Sequence, residues 1–232
     1  FQTECLEDKV ASIDFTISQD HYMIGESLGY IRVTATRFSG KTESVSTDAC
    51  TISGYDLNSQ GIQTLTISYE GVTAEKQILV DSPDTATLTA ANNSEEPFLI
   101  NFDSFSADGV STVLTYSDGQ TTTIYSPSYS GYDNETAGEK TITVSYRGLS
   151  ATYTLQVVEE ITRQVSDSIN MTLNGLTGKT VISGSGEIPS GSNIFSNPHE
   201  SDWRGSGYKT AINTAEIADG ITSVYGFDSC VN

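Results

Sequence analysis

Histidine is the side chain that most often serves as a general base near neutral pH, and the chain has only two, His21 and His199. Neither neighbours a nucleophile in a recognisable motif, and the sequence lacks the serine elbow, the phosphate-binding glycine loop, His-Glu-x-x-His and Cys-x-x-Cys. We expect both to be solvent-exposed loop histidines. The sequence therefore predicts that the chain is not an enzyme, with no catalytic, cofactor-binding or metal-binding residues.

Cysteine could supply a thiolate, a metal ligand or a disulfide. The three cysteines, Cys5, Cys50 and Cys230, are odd in number and irregularly spaced, which fits neither a metal site nor a disulfide framework. A Cys5–Cys50 bridge stays open as an alternative. Cys50 alternates with Ile52, which is typical of a small core residue.

Carboxylates dominate the charge, with 30 acidic against 11 basic residues and a net charge of −19. Such a surface repels nucleic-acid phosphates and anionic lipid, so we expect neither partner and favour a well-hydrated exported protein. Calcium sites are the alternative, and Asp81 and Asp84 could contribute to one, although no loop rich in ligands surrounds them. No apolar run is long enough to span a membrane, and no leader opens the sequence.

Aromatic side chains could stack on sugars, and Trp203, Tyr55 and Tyr132 are the candidates. Trp203 is the only tryptophan and lies in an irregular loop, where we expect it to pack against its own fold. Tyr55 and Tyr132 recur at the same repeat position, which favours a fold-determining role over ligand contact.

The elements that position these residues come from an internal repeat. Ser-Gly-Tyr-Asp at 53–56 recurs 77 positions later at 130–133, and each copy leads into a Gly and a hairpin at 64–71 and 141–148. Internal repeats of this kind indicate one folded unit used twice. Leu65, Ile67 and Tyr69 alternate with polar residues, so the pattern predicts that these side chains and their counterparts at 142, 144 and 146 are buried.

Turn signals punctuate the alternating strands in both copies. Acidic or basic residues followed by Gly at 70–71 and 147–148 are typical of two-residue hairpins, and Ser39-Gly40 and Asp118-Gly119 close two further hairpins. Brief linkers at 81–84 and 159–160 favour a semi-rigid rod. The chain is therefore predicted to be all-β, with two tandem immunoglobulin-like sandwiches.

The pattern changes after residue 160. Segments 171–173 and 180–182 predict a hairpin, and an irregular loop rich in Ser, Asn and Pro follows up to Trp203. Apolar residues then recur through 217–230.

The repeats resemble bacterial immunoglobulin-like domains of group 3. The resemblance rests on Tyr22-Met23-Ile24-Gly25-Glu26, the Ser-Gly-Tyr-Asp step and the Thr-Ile-Ser-Tyr-Glu-Gly hairpin. The second copy has Glu96-Pro97-Phe98-Leu99-Ile100 in place of the first of these motifs. A bacterial source makes the Asn-x-Ser/Thr sequences at Asn92, Asn134 and Asn170 chance matches.

The C-terminal stretch resembles the start of a BspA-like leucine-rich repeat region. The matching residues are 182–189, Trp203, Asp219-Gly220-Ile221-Thr222-Ser223-Val224 and Phe227-x-x-Cys230-x-Asn232. The resemblance implies a strand of a leucine-rich coil at 216–224 and a small core toward which five residues turn: Ile217, Ile221, Val224, Phe227 and Cys230. One coil cannot bury its own face, so we expect the natural protein to continue past Asn232. The alternative is that the hairpin at 171–182 and the second sandwich cover the coil as a cap.

We accordingly predict Ig-like domains at 1–81 and 82–159, and a repeat cap with its first coil at 160–232. Both resemblances imply an extracellular, cell-surface or cell-wall-associated protein that is adhesion-like. We therefore expect an Ig-like stalk that presents a leucine-rich repeat surface and acts in adhesion on an unknown host or bacterial surface protein or glycan. We expect it to be a monomer without cofactor or membrane insertion. Two alternatives stay open: a carbohydrate-binding module of a larger glycan-degrading enzyme, and a spacer without external contacts.

Overall fold

Strands make up nearly all the regular structure. The computed structural model of the chain describes residues 8–188 and 211–223, and in these ranges helical conformation is limited to 3₁₀ geometry, in the turn at Thr47–Ala49 and at Ala211. In these same two ranges, no helix combines the length and apolar character that crossing a membrane requires. The all-β fold class predicted from the alternating pattern is confirmed.

Seven strands form the first repeat, and seven form the second. The first set is β1 Val10–Ile17, β2 His21–Met23, β3 Ile31–Arg37, β4 Thr42–Val45, β5 Thr51–Ser53, β6 Gly61–Tyr69 and β7 Val72–Asp81. The second set is β8 Thr87–Asn92, β9 Phe98–Leu99, β10 Val110–Thr115, β11 Thr121–Thr123, β12 Ser128–Ser130, β13 Gly138–Tyr146 and β14 Leu149–Val158.

The two sets have the same topology. The first repeat has one sheet in the order β1-β3-β4 and another in the order β2-β7-β6-β5; the second has β8-β10-β11 and β9-β14-β13-β12. In each repeat the short second strand pairs in parallel with the last strand, while the other strand pairs of the first repeat are antiparallel. The duplication predicted from the 77-residue period is therefore a duplication of strand order as well as of sequence.

The register shows how the second repeat keeps this order without the Tyr-x-x-Gly-Glu motif. Tyr22 pairs with Val80, and Phe98 pairs with Val157, which lies 77 residues after Val80. Phe98 thus occupies the position of Tyr22 beside the last strand. The distance between these two residues along the chain is one residue shorter than the 77-residue repeat length. A buried aromatic residue beside the last strand is what the two copies share.

The hairpin between the last two strands has the predicted turn. Glu70 and Gly71 have φ of 47° and 81°, and Arg147 and Gly148 have φ of 49° and 84°. Two successive residues with positive φ define the turn whose twist matches that of paired strands. The Asp118-Gly119 turn is also confirmed, with Gly119 N–H donating to the Tyr116 carbonyl at 2.9 Å.

The core of the first repeat lies between its two sheets, as a sandwich requires. Leu65 and Ile67 from one sheet are fully buried in one cluster with side chains from the other sheet, including Phe15, Val33 and Ala35. In the second repeat, Ile142 and Val144 are fully buried at the equivalent positions. The prediction was wrong in one respect: Tyr69 and Tyr146 are only half-buried, because they lie at the ends of their strands beside the exposed turns.

The C-terminal segment adds a further sheet. Its strands are β15 Glu160–Ser166, β16 Ile169–Asn174, β17 Lys179–Gly184 and β19 Thr214–Ile217, while β18 Gly186–Glu187 pairs with β20 Ile221–Ser223. The predicted hairpin is confirmed, since Met171 pairs with Ile182 across β16 and β17. Both side chains are fully buried and form a small core with Ile169 and Ile188.

Two compact units divide the chain, and they do not follow the repeats. Unit 1 contains the chain up to Leu88 together with segments 114–122 and 147–149. Unit 2 contains segments 89–113, 123–146 and the chain from Ser150 onward. The predicted domain boundaries after residues 81 and 159 stay predictions.

The Ser-Gly-Tyr-Asp motif requires its glycine in both copies, because the backbone passes close to the neighbouring strand at that residue. Gly54 and Gly131 have φ of 79° and 95°, and a Cβ atom at either would lie far inside van der Waals contact of a backbone oxygen, that of Thr64 or Thr141. Only glycine allows this close approach of loop and strand.

We expect Gly131→Ala to lower the free energy of unfolding by about 3 kcal/mol or more, because backbone must move away from the added methyl group. Gly138→Ala is the matched control: its φ is 122°, but nothing lies within 4 Å of the added atom. It should lose only about 1–2 kcal/mol through the positive φ. Urea unfolding of both variants measures the difference, and equal losses would contradict the close-approach explanation.

Candidate functional site

The best-formed polar cluster in the described part of the chain surrounds His21 in unit 1. The imidazole Nδ1 lies 2.6 Å from Asp20 Oδ1, and Nε2 lies 2.8 Å from Asp118 Oδ2. The side chain of His21 is 18% exposed, and its ring centroid is 5.0 Å from that of Tyr116. The prediction of a solvent-exposed loop histidine was wrong here, because His21 begins β2 and the hairpin end at 114–122 covers it.

Local structure places each member of the cluster. The backbone of Asp20 accepts a hydrogen bond from Leu79 N–H at 2.8 Å, which aligns β2 with β7 and brings His21 to the strand end. Asp118 Oδ1 accepts from Gln120 N–H at 2.9 Å, which fixes the carboxylate over its own turn. The turn therefore orients the Asp118 carboxylate independently of its contact with the imidazole.

Asp81 completes the contact at the end of β7. Its Oδ2 accepts from the Ser117 N–H at 2.7 Å, and its Oδ1 accepts from the Thr85 hydroxyl at 2.9 Å. Asp81 is 1% exposed, so these hydrogen bonds replace the water that a carboxylate otherwise requires. The cluster borders a cleft of about 410 Å³, lined by Asp20, His21, Gln60, Gly61, Ile62, Gln77, Ile78, Leu79, Asp81, Ser117 and Asp118.

The electrostatics favour the protonated ring. Burial lowers the pKa of His21, but the hydrogen bonds and charges of Asp118 and Asp20 outweigh this effect and raise the pKa above its ordinary value. The hydrogen bond from His21, aided by that from Gln120 N–H, lowers the pKa of Asp118. The two shifts have a common cause, since each partner stabilises the charge of the other.

This geometry holds a proton in place but leaves no ring nitrogen to activate a nucleophile. In a Ser-His-Asp triad one nitrogen binds the carboxylate while the other accepts the proton of serine. Here carboxylates occupy both sides of the imidazole. The cluster is therefore an ion-paired contact within unit 1, in which one imidazole binds two carboxylates.

The calcium alternative at Asp81 and Asp84 finds no support in the described ranges. Both carboxylate oxygens of Asp81 accept hydrogen bonds, from Ser117 and Thr85, and Asp84 is exposed. In residues 8–188 and 211–223, no group of three or more histidine, cysteine, aspartate or glutamate side chains could hold a metal ion.

The two tyrosines of the repeated motif have different surroundings. Tyr132 donates to the Asp103 carbonyl at 2.6 Å, and its ring lies 5.3 Å from Phe98 and 5.6 Å from Phe105. Burial raises the pKa of its hydroxyl, with a further contribution from Asp103. Tyr55 is 39% exposed instead.

The length of one connection explains this difference. Residues 24–30 join β2 to β3, whereas residues 100–109 join β9 to β10 and carry both Asp103 and Phe105. The longer connection in the second repeat supplies the packing partners of its tyrosine. The contacts of Tyr132 fit the fold-determining role predicted for the repeated tyrosine, and for the partly exposed Tyr55 that role stays a prediction.

Cys50 is half-buried against the first core, as its alternation with Ile52 predicted. Its Sγ lies 3.5 Å from the Ser46 carbonyl, and burial raises the pKa of the thiol, so it is a poor nucleophile. Several candidates lie outside the described residues, so the predictions made for them are untested: Cys5 with its possible bridge, His199, Trp203, Val224, Phe227 and Cys230.

The C-terminal strands stack in parallel with a constant offset. Lys179 pairs with Thr214 and Gly186 with Ile221, each 35 positions apart. Ile221 packs against the small core, as expected, but Ile217 is 47% exposed, so its predicted inward orientation was wrong. Ile217 lies at the end of β19, which is the edge strand of this sheet among the described residues and is exposed at all four of its positions.

Sequence reasoning missed the partners of His21 and Tyr132. The Asp118-Gly119 pair was recognised only as a turn, and the 77-residue sequence repeat gives no indication that Asp118 contacts His21. One signal was available: His21 has no counterpart in the second repeat, which is typical of a residue that serves a contact outside the repeated design.

The fold places the chain in the class of duplicated β-sandwich proteins, since a three-stranded and a four-stranded sheet recur in the same strand order. The model of the family described as bacterial Ig-like domain (group 3) matches this chain twice, at residues 18–80 and 103–157. The matches span half of the chain, and the chain belongs to this family. They end before the C-terminal segment, so the leucine-rich repeat assignment stays a prediction.

A similar solved structure is the solution structure of a candidate surface protein. It is 30% identical over 32% of this chain and 89% of its own length, with a TM-score of 0.21. No curated protein matches the chain.

We expect Tyr132→Phe to lower the free energy of unfolding by about 1 kcal/mol, because the Asp103 carbonyl loses one of its two side-chain donors. Tyr55→Phe is the repeat-matched control and should change the free energy of unfolding by less than about 0.5 kcal/mol. Chemical denaturation of the two variants measures both values, and an equal effect at the two positions would contradict the assigned role of Tyr132.

Proposed function

We propose that the chain is a non-enzymatic segment of a bacterial cell-surface protein, in which Ig-like sandwiches present a recognition surface. The observation that carries this proposal is the double family match on a duplicated sandwich. Duplicated β units of this kind serve as spacers and binding surfaces far more often than as reaction centres. The same family membership supports the proposed location, which is extracellular, at the cell surface or associated with the cell wall.

The charge supports a role at a hydrated surface. A net charge of −19 keeps neighbouring copies apart and disfavours contact with anionic polymers. We propose that the partner, in adhesion, is a host or bacterial surface protein or glycan bound without a cofactor, and that the segment is monomeric.

Carbohydrate binding is the second candidate, and the exposed aromatic residues bear on it. A row of two or three aromatic side chains on one sheet face would favour sugar stacking. Among the described residues the exposed aromatic side chains are Tyr30, Phe38, Tyr55 and Tyr125, and each lies outside the strands. Because loops and not one sheet face carry them, the first proposal is the better supported.

The location is tested with antibodies raised against the purified chain. We expect them to label intact cells of the source bacterium, and brief protease treatment of intact cells to remove the signal. Antibodies against a cytoplasmic protein are the control for lysis. Labelling that appears only after the cells are permeabilised would contradict the proposed location.

The absence of catalysis is tested by a broad hydrolase screen on the purified chain. We expect no turnover above that of buffer, and identical results for His21→Gln and His199→Gln. Turnover that is lost in either variant, or on substitution of a carboxylate pair, would overturn the non-enzymatic proposal. A glycan array tests the second candidate: binding that Tyr30→Ala or Tyr125→Ala abolishes would favour the carbohydrate-binding module.

A further inference from the structure

His21 binds two carboxylates at once, and only one protonation state allows this arrangement. A neutral imidazole has a single N–H, whereas the imidazolium has two. Carboxylate oxygens lie at hydrogen-bonding distance from both ring nitrogens, 2.6 Å to Asp20 and 2.8 Å to Asp118. If the proton is lost, one nitrogen lone pair faces a carboxylate oxygen and that contact becomes repulsive.

The contact that would fail belongs to a defined piece of unit 1. Asp20 is the chain neighbour of His21, so its contact survives any movement of the hairpin end at 114–122. Asp118 lies 97 residues away along the chain, and its contact depends on the position of that hairpin end. The Tyr116 ring packs against the same imidazole at a tilt of 50°, and the Ser117 N–H donates to Asp81. Three successive residues therefore hold the hairpin end to β2 and β7.

The charged groups around the ring all favour the cation. Asp20 faces it from its own strand, Asp118 from the hairpin end and Asp81 from the end of β7, where it borders the same cleft. Tyr116 is the other titratable neighbour, and its ring packs against the imidazole. Among residues 8–188 and 211–223, no lysine or arginine lines the cleft, so none of the lining residues in those ranges replaces the positive charge of His21 once the proton is lost.

We propose that His21 is a proton-dependent clasp that holds the 114–122 hairpin end of unit 1 closed while the imidazole is protonated and releases it on deprotonation. Release means that the His21–Asp118 contact opens first and that the Ser117 N–H then leaves Asp81. The inference does not depend on the proposed surface function.

The direction of the pH dependence follows from the two shifts. The pKa of His21 is raised, so its stabilising contribution is complete below the unfolded value of about 6.5 and is lost as the pH rises through the native value. The pKa of Asp118 is lowered, so its contribution is complete above about 3.9 and is lost as the pH falls through its native value. The clasp is closed between these limits and opens on the alkaline side through His21.

The first measurement is an NMR titration of the imidazole signals of the full chain. Only two histidines contribute, and His199→Gln assigns the signal of His21. We expect a midpoint for His21 above about 6.5, a lower midpoint in Asp118→Asn, and no change in Asp84→Asn, which removes the same charge from an exposed position of unit 1. A midpoint at or below about 6.5, or one unaffected by Asp118→Asn, would overturn the proposal.

The second measurement separates a clasp from a merely paired histidine. Hydrogen exchange of the Ser117 amide reports opening of the hairpin end, and the Leu79 amide, bound to the Asp20 carbonyl, serves as the reference. We expect the protection factor of Ser117 to fall as the pH rises through the His21 midpoint, by about tenfold for each unit by which the native pKa exceeds the unfolded one.

In His21→Gln the protection factor of Ser117 should be low and independent of pH, with that of Leu79 unchanged. Circular dichroism shows whether this variant is folded, and the wild-type pH profile alone decides the matter if it is not. A Ser117 protection factor that stays constant through the His21 midpoint would show that the pair does not hold the hairpin end.

Discussion

The pairing of the last two strands of each repeat is the constraint from which the rest of the fold follows. In the first repeat, β6 and β7 pair without interruption from Gly61–Val80 to Tyr69–Val72. The turn at Glu70-Gly71 sets this register, and the register decides which side chains face the core. Strand β5 joins one edge of the pair and β2 joins the other, so the four-stranded sheet forms around this hairpin. The second repeat builds the same sheet around β13 and β14.

The features that are local in the sequence could be predicted from it. Turns with positive φ, strand alternation and the burial of Leu65 and Ile142 depend on neighbours two to ten residues away, and patterns of that length are visible in the chain. The contacts of His21 with Asp118 and of Tyr132 with Asp103 join residues separated by 97 and 29 positions, and no local sequence pattern predicts contacts of that separation. The exposure of Ile217 was missed for the same reason, since it depends on the edge position that β19 takes in its sheet.

Comparison of the two copies shows how one design can carry different polar contacts. The sheets and turns are constant, while the connection between the second and third strands varies in length. In the second copy this connection supplies partners for Tyr132, and in the first copy the equivalent Tyr55 is left partly exposed. His21 occupies a strand whose second-copy counterpart is Phe98-Leu99, so the polar cluster is specific to the first repeat. Variation of this kind lets a duplicated scaffold acquire individual surfaces without changing its core.

The parallel pairing of β2 with β7 and of β9 with β14 has a mechanical consequence. The short strand lies early in its repeat and the last strand ends it, so tension along the chain pulls the paired strands in opposite directions along their own axes. The hydrogen bonds between parallel strands then carry the load together, in shear, and do not open one after another as in a pulled hairpin. The unfolding rate under load then determines the resistance of each repeat to stretching. Because Tyr22 and Phe98 are buried at this pairing, their side-chain packing must be broken together with the hydrogen bonds.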